Sequence, residues 1–350
     1  MSATSKTPRR PVRARASMAD VGRLAGVSAQ TVSRYFTGTS YVSADARERI
    51  EAAVAALNFR PNLVARNLRA NHTRTIGVMA IGELNYGMAT LLAGLSAAAR
   101  ATDYSLAIAQ IEAAPSDPGA MAEAQRALDN LQSFQVDGIL LATSDQDSEA
   151  LFERIWETLP VLTISGRTQL SVDSATVDSH QAGYLATRHL IELGHTRILH
   201  VGGPPRLNET YERVRGYEDA LREADLAPLD IVGGSGWSAE AGFAAGLAAD
   251  PDAFTGVFAG NDQIALGFLR AMRTRGYAAP LDYSIIGVDD MPDAAFFEPP
   301  LSSIYMDFHT LGTESFDMIR HHIETGERLE RRVLPAVLVP RESTAPPPTR

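Results

Sequence analysis

From Thr75 onward, short apolar runs alternate with longer segments whose apolar residues recur at helical spacing. Short apolar runs are typical of strands buried on both faces, and their alternation with helices predicts a parallel sheet. The alternation pauses near Val177 and then resumes, so we expect two lobes with a cleft between them. The runs are TIGVMAI, SLAIAQI, VDGILLAT, PVLTIS, RILHVGG, TGVFAG and SIIGVDD. Near the end, SSIYMD, a helical segment at 310–324 and RRVLPAVLVPRES should complete the lobes and supply crossings between them.

The N-terminal pattern differs, because its apolar residues have helical spacing throughout. Val21, Leu24 and Ala25 predict one short helix with an apolar face. Gly26 interrupts it, and Ser28 can cap a second helix by accepting a hydrogen bond from a backbone N–H of its first turn. Two short helices joined at a glycine turn are typical of a helix-turn-helix, although an ordinary antiparallel helix pair with a polar surface has the same pattern.

A third helix is predicted to begin after Ser43 and to end at Asn58. Its expected buried face consists of Ile50, Ala53, Val54 and Leu57. Pro61 ends this element, and residues 63–69 could form two further helical turns. Isolated helices shorter than about 12 residues rarely persist in water, so we expect this one to fold only against DNA and a partner.

Charge divides the chain into two parts. Residues 1–75 hold 13 Lys and Arg against 4 Asp and Glu, a net charge of +9, whereas the remaining residues hold 19 against 38. A basic head on an acidic body indicates that the head binds a polyanion, although part of the excess lies in residues 1–17, which we interpret as a disordered basic arm. The chain has no cysteine, which excludes disulfides and thiolate zinc sites. No apolar run reaches the roughly 18 residues of a membrane span, so we expect a cytoplasmic protein.

The second helix carries side chains that can bind DNA. Val32 should point inward. The side chains expected to face outward are Ala29, Gln30, Ser33 and Arg34. Gln can bond adenine and Arg can bond guanine through paired hydrogen bonds. Hydroxyl groups that suit phosphate oxygens belong to Ser28, Thr31 and Ser33.

Polar residues follow two strands of the second predicted lobe. Asn261 and Asp262 follow TGVFAG, and Asp289 and Asp290 end SIIGVDD. Parallel sheets bind ligands at loops on the carboxyl ends of their strands. Asn and Asp are also preferred helix caps, so a capping role remains open for each residue, and the two roles are compatible.

A known family is similar to this chain along most of its length. The lactose/galactose repressor (LacI/GalR) family resembles the head and hinge over the run DVGRLAGVSAQTVSRYFTGTSYVSADARERIEAAVAALNFRPNLVARNLR. NDQIALG and SIIGVDDMP resemble its effector-domain motifs, so the resemblance extends from about residue 18 to residue 343. One departure is Gly22, where the family usually has alanine.

For the head, the resemblance implies sequence-specific binding to operator DNA. Ala29, Gln30 and Arg34 would read bases in the major groove. Asn62 stands at the start of the hinge, and Leu68 occupies the position of a wedge that enters the minor groove from both subunits of a homodimer. No heptads of leucine follow Ser343, which predicts a dimer rather than a tetramer.

For the body, the resemblance implies an effector site between the lobes. Asn261 and Asp289 would bond ligand hydroxyls, and Arg213 would clamp them from the second lobe. Trp237 and Phe308 would form apolar walls, although a core role for Trp237 remains open. The remaining border residues would be Asn85 and Gly87, on the loop after the first strand, and Ser165.

This set of side chains suits a sugar, whose hydroxyls bond to Asp, Asn and Arg while its C–H face packs on an aromatic ring. Ser165 stands where a galactoside-responsive member of the family has an acidic sugar contact, and Met306 where that member has glutamine. Recognition of a galactoside is therefore not implied.

The predicted fold is an N-terminal all-α helix-turn-helix head plus an α/β periplasmic-binding-protein-like body of two parallel-sheet lobes. The expected divisions are a basic arm at 1–17, the helix-turn-helix at 18–60, a hinge at 61–74, the two-lobed effector-binding and dimerisation domain at 75–343 and a disordered tail at 344–350.

The predicted function is a ligand-responsive transcriptional regulator, acting as a repressor of carbohydrate metabolism genes. Its alternative is an α/β nucleotide- or sugar-processing enzyme fused to a DNA-binding head. The sequence shows no dinucleotide-binding glycine motif after the first strand, no phosphate-binding loop and no nucleophile elbow, so we expect no catalytic residue, cofactor or metal. A purely architectural DNA-binding protein would not need so large a body.

Overall fold

The computed structural model describes residues 16–37, 40–59, 72–111, 119–143, 159–165 and 173–348. The chain divides into two compact units, residues 1–73 and residues 74–350. Most of the predicted basic arm and most of the predicted hinge lie outside the described residues.

Within its described residues, the first unit contains the helices α1 (Met18–Ala25), α2 (Ala29–Thr37) and α3 (Ala44–Leu57). Each helix follows a serine whose hydroxyl accepts a hydrogen bond from a backbone N–H three residues later, and these serines are Ser17, Ser28 and Ser43. Gly26 and Asn58 end α1 and α3 in the left-handed conformation. The predicted caps at Ser28 and Ser43 and the predicted stop at Asn58 are confirmed.

The helices of the head enclose a small core of Val21, Ala25, Val32, Val42, Ala46, Ile50, Ala53 and Phe59. Leu24 was expected on the apolar face of α1, and this prediction is wrong, because Leu24 is 57% exposed. Gly22 extends the buried stripe instead. A Cβ atom at Gly22 would lie 2.7 Å from the carbonyl oxygen of Val27, so the turn after α1 closes directly onto this glycine.

The described strands of the second unit are, in chain order, β1 (Thr75–Ile81), β2 (Ser105–Ile111), β3 (Gly138–Thr143), β4 (Val161–Ile164), β5 (Ser174–Val177), β6 (Ile198–Gly202), β7 (Val232–Gly233), β8 (Gly256–Ala259), β9 (Ser284–Asp289), β10 (Ser302–Met306), β11 (Arg332–Leu334) and β12 (Ala336–Val339). Among these residues they form two six-stranded sheets, with the orders β11-β5-β4-β3-β1-β2 and β12-β10-β9-β8-β6-β7. Neighbouring strands run parallel except β10 and β12, which are antiparallel. The two predicted parallel-sheet lobes are confirmed.

The described helices of this unit are α4 (Tyr86–Arg100), α5 (Ala120–Ser133), α6 (Ser179–Glu192), α7 (Asn208–Glu223), α8 (Ala239–Ala248), α9 (Asp262–Thr274) and α10 (Phe308–Thr325), with a 3-10 turn at Pro292–Phe296. Helices α4, α5 and α10 pack on the sheet that contains β1, and α6 to α9 pack on the sheet that contains β8. We call the first assembly the N-terminal lobe and the second the C-terminal lobe. None of the helices that the structure describes has the length and apolar character needed to cross a membrane.

The chain passes between the lobes near Asp178, Asp307 and Pro335, the residues that separate β5 from α6, β10 from α10 and β11 from β12. The last two crossings belong to the terminal segments, as predicted. Each lobe therefore contains strands from distant parts of the chain, and the cleft lies between the carboxyl ends of the two sheets.

Helices within a lobe pack in pairs through direct backbone contacts at glycine. A Cβ atom at Gly94 in α4 would overlap the carbonyl oxygen of His309 in α10. A Cβ atom at Gly183 in α6 would overlap the carbonyl oxygen of Arg213 in α7. These glycines therefore set the distance between paired helices, and Gly183 fixes the depth of the backbone that carries Arg213.

The C-terminal end differs from the prediction of a disordered tail beginning at residue 344. Thr344 hydrogen-bonds the ring of His189 at 2.9 Å, and the carbonyl oxygen of Ala345 accepts from His195 Nε2 and from Ser284 Oγ, each at 2.9 Å. His195 is buried, so its ring needs such a partner inside the fold. Residues 344 and 345 are therefore part of the C-terminal lobe.

The Gly183→Ala substitution should destabilise the body by about 1–3 kcal/mol, because the added methyl group forces α6 and α7 apart and this cost exceeds the gain in helix propensity. Urea unfolding followed by circular dichroism measures the loss. Arg188→Ala, an exposed change on the same helix, is the matched control and should alter stability by less than about 0.5 kcal/mol. Equal stability of the Gly183→Ala variant and the unmodified protein would contradict the backbone contact.

Candidate functional site

The outward face of α2 presents the side chains that were predicted to bind DNA. Val32 is fully buried, whereas Ala29, Gln30 and Arg34 are exposed and Thr31 and Ser33 are half-buried. Ser28 is exposed, but its hydroxyl already accepts from the backbone N–H of Thr31 at 3.0 Å and bonds to the Thr31 hydroxyl at 2.9 Å. A phosphate group at this helix start would therefore share these hydroxyls with the cap.

Aromatic residues at the end of α2 fix the helix to the rest of the head. Tyr35 donates a hydrogen bond to the Glu51 carboxylate at 3.0 Å, and the Arg47 guanidinium lies 5.7 Å from the centre of the Tyr35 ring. Phe36 packs against Tyr35 and Phe59, with ring centres 5.1 and 5.8 Å apart respectively. The exposed face of α2 is thus presented in a fixed orientation relative to α3.

Asn62 and Leu68 lie outside the described residues. Their roles in the hinge and the minor groove stay predictions.

A cavity of about 390 Å³ lies between the two lobes. The carboxyl ends of β1, β3, β4, β5 and β9 all open toward it. The eight residues predicted to border an effector all line this single cavity, namely Asn85, Gly87, Ser165, Arg213, Trp237, Asn261, Asp289 and Phe308. The structure thus brings together residues that are spread over more than two hundred positions of the sequence.

Arg213 occupies the floor of the cavity on the C-terminal lobe. It is 4% exposed, its Nη1 donates to the carbonyl oxygen of Gly260 at 2.6 Å, and its Nη2 lies 3.6 Å from Asp289 Oδ1. Its guanidinium also stacks 5.2 Å from the centre of the Trp237 ring. The expectation that Arg213 reaches the ligand from the opposite lobe to Asp289 and Asn261 is wrong, because α7 packs on the same sheet that β8 and β9 belong to.

Asp289 is the last residue of β9 and has a backbone φ of 104°, a conformation that a residue with a side chain rarely adopts. Burial raises the pKa of Asp289 to about 6, Glu209 adds to the rise, and the Arg213 guanidinium opposes it. The separation between Asp289 and Arg213 exceeds a hydrogen bond. A ligand hydroxyl can therefore bridge them, because it can accept a hydrogen bond from Arg213 and donate one to Asp289.

Helix capping and cavity lining coincide at Asn261 and Asn85. Asn261 Oδ1 accepts from Ile264 N at 2.8 Å and caps α9, while its Nδ2 donates to Trp237 O at 3.2 Å. Asn85 Oδ1 accepts from Met88 N at 3.0 Å and caps α4. Gly87 lies in the first turn of that helix rather than on a loop.

The other two acidic candidates at the strand ends do not line the cavity. Asp262 accepts from Ser303 Oγ at 2.5 Å and from Met291 N at 2.8 Å, so it joins β10 to the loop that follows β9. Asp290 forms an ion pair with Arg341 at 2.7 Å. No cluster of His, Asp or Glu in the described part of the chain could hold a metal ion.

Two aromatic rings form opposite apolar walls. Trp237 stands on the C-terminal lobe, where it is 7% exposed and joins the hydrophobic core as well as the cavity lining. Phe308 stands on the N-terminal lobe, packed against Tyr86 with ring centres 6.5 Å apart, and a Cβ atom at Gly87 would lie 3.0 Å from its ring. The Phe308 ring therefore occupies space that a side chain at position 87 would fill.

Several residues that line the cavity were not predicted from the sequence. Glu209, in the first turn of α7, and Arg206, in the loop before that helix, line the C-terminal side, and Glu83, Met88 and Leu91 line the N-terminal side. Glu209 precedes Arg213 by four positions, which places both on one face of a helix, and this spacing was a usable signal. The apolar lining residues carry no comparable signal, because any helix that covers a sheet has such residues.

Two family models match the chain. The model described as bacterial regulatory proteins, lacI family, matches residues 17–62, and the model of a periplasmic binding protein-like domain matches residues 187–344.

The chain is 34% identical to the ribose operon repressor of Haemophilus influenzae, over 94% of this chain and 98% of that protein. It is 32% identical to the transcriptional repressor PurR of Vibrio campbellii, over 91% of this chain and 95% of that protein. A crystal structure of the lac repressor dimer bound to operator and an anti-inducer superposes with a TM-score of 0.85 at 29% identity, and covers 95% of this chain and 100% of that one. The chain therefore belongs to the lacI family of ligand-responsive, DNA-binding transcriptional regulators.

Proposed function

We propose that this regulator is a repressor of carbohydrate metabolism genes and that its effector is a sugar bound between the lobes. The observation that carries the proposal is the buried Arg213–Asp289 pair, which faces the cavity between the Trp237 and Phe308 rings. A sugar ring offers adjacent hydroxyls, which can bridge a guanidinium and a carboxylate, and a C–H face, which can pack on an aromatic ring.

The geometry of the pair favours hydroxyl ligands. Arg213 Nη2 and Asp289 Oδ1 are 3.6 Å apart, so a hydroxyl could accept from the first group and donate to the second. Asn261 lines the same side of the cavity and adds an amide. A cavity of about 390 Å³ is large enough for a monosaccharide or a small glycoside.

The named relatives support a small hydroxylated effector. One is a ribose operon repressor, and another solved member of the family contains bound ribose. PurR is the other named relative. Nucleobases are a competing class of small ligand and belong in the ligand panel beside sugars, and a response to a nucleobase alone would overturn the sugar assignment.

For the head, the proposed roles are base contacts from Ala29, Gln30 and Arg34 and phosphate contacts from Ser28, Thr31 and Ser33. The exposed face of α2 supports them, as does the crystal structure of a lac repressor dimer on its operator. We propose a homodimer that acts in the cytoplasm without catalysis. Asn62 would begin its hinge, and the Leu68 side chains would enter the minor groove.

The lobes offer different chemistry to the effector. Arg213, Asp289 and Asn261 all belong to the C-terminal lobe, so the polar contacts anchor a sugar there. Phe308, Gly87 and Ser165 face it from the N-terminal lobe. A sugar in contact with both walls binds one lobe arrangement better than another, and this difference in affinity is what allows it to change DNA binding.

The Arg213→Ala substitution should abolish sugar binding, because it removes the guanidinium and leaves Asp289 without its counter-charge. The test is thermal melting with a panel of D-ribose, D-galactose, D-glucose, cellobiose and nucleobases, since a ligand that binds only the folded protein raises its melting temperature. Arg215→Ala, an exposed change on the same helix, should preserve the ligand-induced rise. A full rise in the Arg213→Ala variant would place the site elsewhere.

The Asp289→Asn substitution should make the folding stability of the body less dependent on pH while it removes sugar binding. Asp289 is harder to ionise in the folded protein than in the unfolded chain, so folding stability falls as pH rises from about 4 to about 6. Asparagine does not ionise, so the stability of the variant relative to the unmodified protein should rise by about 2–3 kcal/mol between pH 4 and pH 7, whatever the pH-independent cost of leaving Arg213 without its counter-charge. Urea unfolding across this pH range measures the effect.

The control for Asp289→Asn is Asp293→Asn, which changes an exposed carboxylate nearby and should give a stability difference that does not vary in this way. A pH-independent difference for Asp289→Asn would show that burial does not raise the pKa of its carboxyl.

The Arg34→Ala substitution should weaken binding to DNA by about 1–3 kcal/mol and relax the preference at one base pair. The DNA is a duplex selected by the full-length protein from a random library, and for a dimer it should contain two inverted half-sites. Affinity measured at several salt concentrations separates base contacts from phosphate contacts, because only the loss of a phosphate contact lowers the salt dependence. Unchanged affinity and unchanged base preference would remove Arg34 from the DNA contact surface.

A further inference from the structure

A side-chain hydrogen bond joins the two lobes beside the cavity. Asn208 Nδ2 donates to Ser165 Oγ over 2.9 Å. Ser165 follows β4 in the N-terminal lobe and lines the cavity, and Asn208 is the first residue of α7 in the C-terminal lobe. Both residues are buried, with 6% and 2% of their surfaces exposed.

The helix that begins at Asn208 carries the polar floor of the cavity. Leu207 and Glu209, the neighbours of Asn208, line the cavity, and Arg213 follows in the next turns of α7. Because α7 contacts α6 through backbone at Gly183, it cannot shift within its lobe without disturbing that packing. The Asn208–Ser165 bond therefore fixes the position of Arg213 relative to the wall of the opposite lobe.

We propose that Asn208 is a positioning residue for the effector, which holds the lobes in the arrangement where the C-terminal polar groups face the N-terminal wall. This inference rests on the proposed function of the cavity as a sugar site. A hydrogen bond tolerates displacements of only a few tenths of an ångström, so rotation of one lobe breaks it and water then takes the place of each partner.

The Asn208–Ser165 hydrogen bond should affect the dissociation rate of the sugar more than its association rate. Sugar enters when the lobes are apart, before the bond forms, so loss of the bond leaves the association rate unchanged. Sugar leaves only after the lobes separate, so loss of the bond raises the dissociation rate. A buried hydrogen bond of ordinary net strength corresponds to a change of about 3- to 10-fold.

The first test measures these two rates separately by stopped-flow tryptophan fluorescence. Trp237 lines the cavity and reports binding once the other tryptophan, Trp156, is replaced by phenylalanine. The probe is whichever of D-ribose, D-galactose, D-glucose and cellobiose gives the largest signal with unmodified side chains at 165 and 208. Asn208→Ala, Ser165→Ala and the double variant are compared with that protein in the same background.

The expected result is a dissociation rate raised about 3- to 10-fold in each single variant, with an unchanged association rate and with the double variant no worse than the singles. A purely structural role would lower the melting temperature and leave the two sugar rates alone. If the sugar binds and leaves the Asn208→Ala variant at the unmodified rates, the positioning role is overturned while the sugar site stands. If no sugar in the panel binds the unmodified protein, the proposed function fails and the inference fails with it.

The second test locks the lobes covalently. The chain contains no cysteine, so Ser165→Cys with Asn208→Cys introduces a single possible intramolecular disulfide. Oxidation forms an S–S bond between the two thiols and transfers their two electrons to an added oxidant such as diamide. Dithiothreitol reverses it. The oxidised protein should bind the selected DNA duplex with the same affinity whether or not the sugar is present, and reduction should restore the sugar response. A full sugar response in the oxidised protein would contradict the proposal.

Discussion

A buried guanidinium at the bottom of the cleft constrains most of the C-terminal lobe. A charge with 4% exposure is tolerated only where other groups replace its water. Asp289 supplies the counter-charge, the carbonyl of Gly260 supplies a hydrogen bond, and Trp237 supplies an aromatic face. These groups come from different strand-to-helix connections of one sheet. The fold must therefore hold these groups together. The close backbone contact between α7 and α6 at Gly183 does so for the residue that carries the guanidinium.

The same constraint makes the site receptive to a ligand. Burial raises the pKa of the Asp289 carboxyl to about 6 against the opposing effect of Arg213, so ionisation of this group costs free energy in the folded protein. Its separation from Arg213 leaves the ion pair incomplete at 3.6 Å. A ligand hydroxyl that bonds both groups would complete their interactions and would favour the ionised form. The incompletely paired groups lower the stability of the folded protein, and ligand binding would offset that cost, a pattern common at functional sites.

The sequence predicted the chemistry of the site better than its placement. Asn261 and Asp289 were found because polar residues follow buried strands, and the resemblance to a known family located Arg213, Trp237 and Phe308. The assignment of Arg213 to the opposite lobe failed, because the chain crosses between lobes at Asp178 and a linear pattern does not show which sheet a helix covers. Asp262 has the same residue type as Asp289 but lies among hydrogen-bond donors below the cavity.

Sequence signals were reliable for features set by hydrogen bonds within one helical turn. They failed where the burial of a side chain depends on how the neighbouring segments pack. The serine caps of the head follow from hydrogen bonds within one turn, and those at Ser28 and Ser43 were predicted correctly, whereas Ser17, which caps α1, was assigned to the arm. Leu24 failed because the face of α1 that meets the core is decided by the turn closing onto Gly22.

The prediction of a disordered tail from residue 344 was wrong for a similar reason. The prolines of this segment disfavour regular structure, but the buried ring of His195 and the half-buried ring of His189 both hydrogen-bond its polar groups. Those contacts join the end of the chain to the lobe that holds Arg213 and Asp289. The C-terminal lobe is therefore closed by its own last residues, whereas its relation to the N-terminal lobe depends on the crossings and on groups at the cavity. A small ligand in the cavity is therefore best able to change the orientation of one lobe relative to the other.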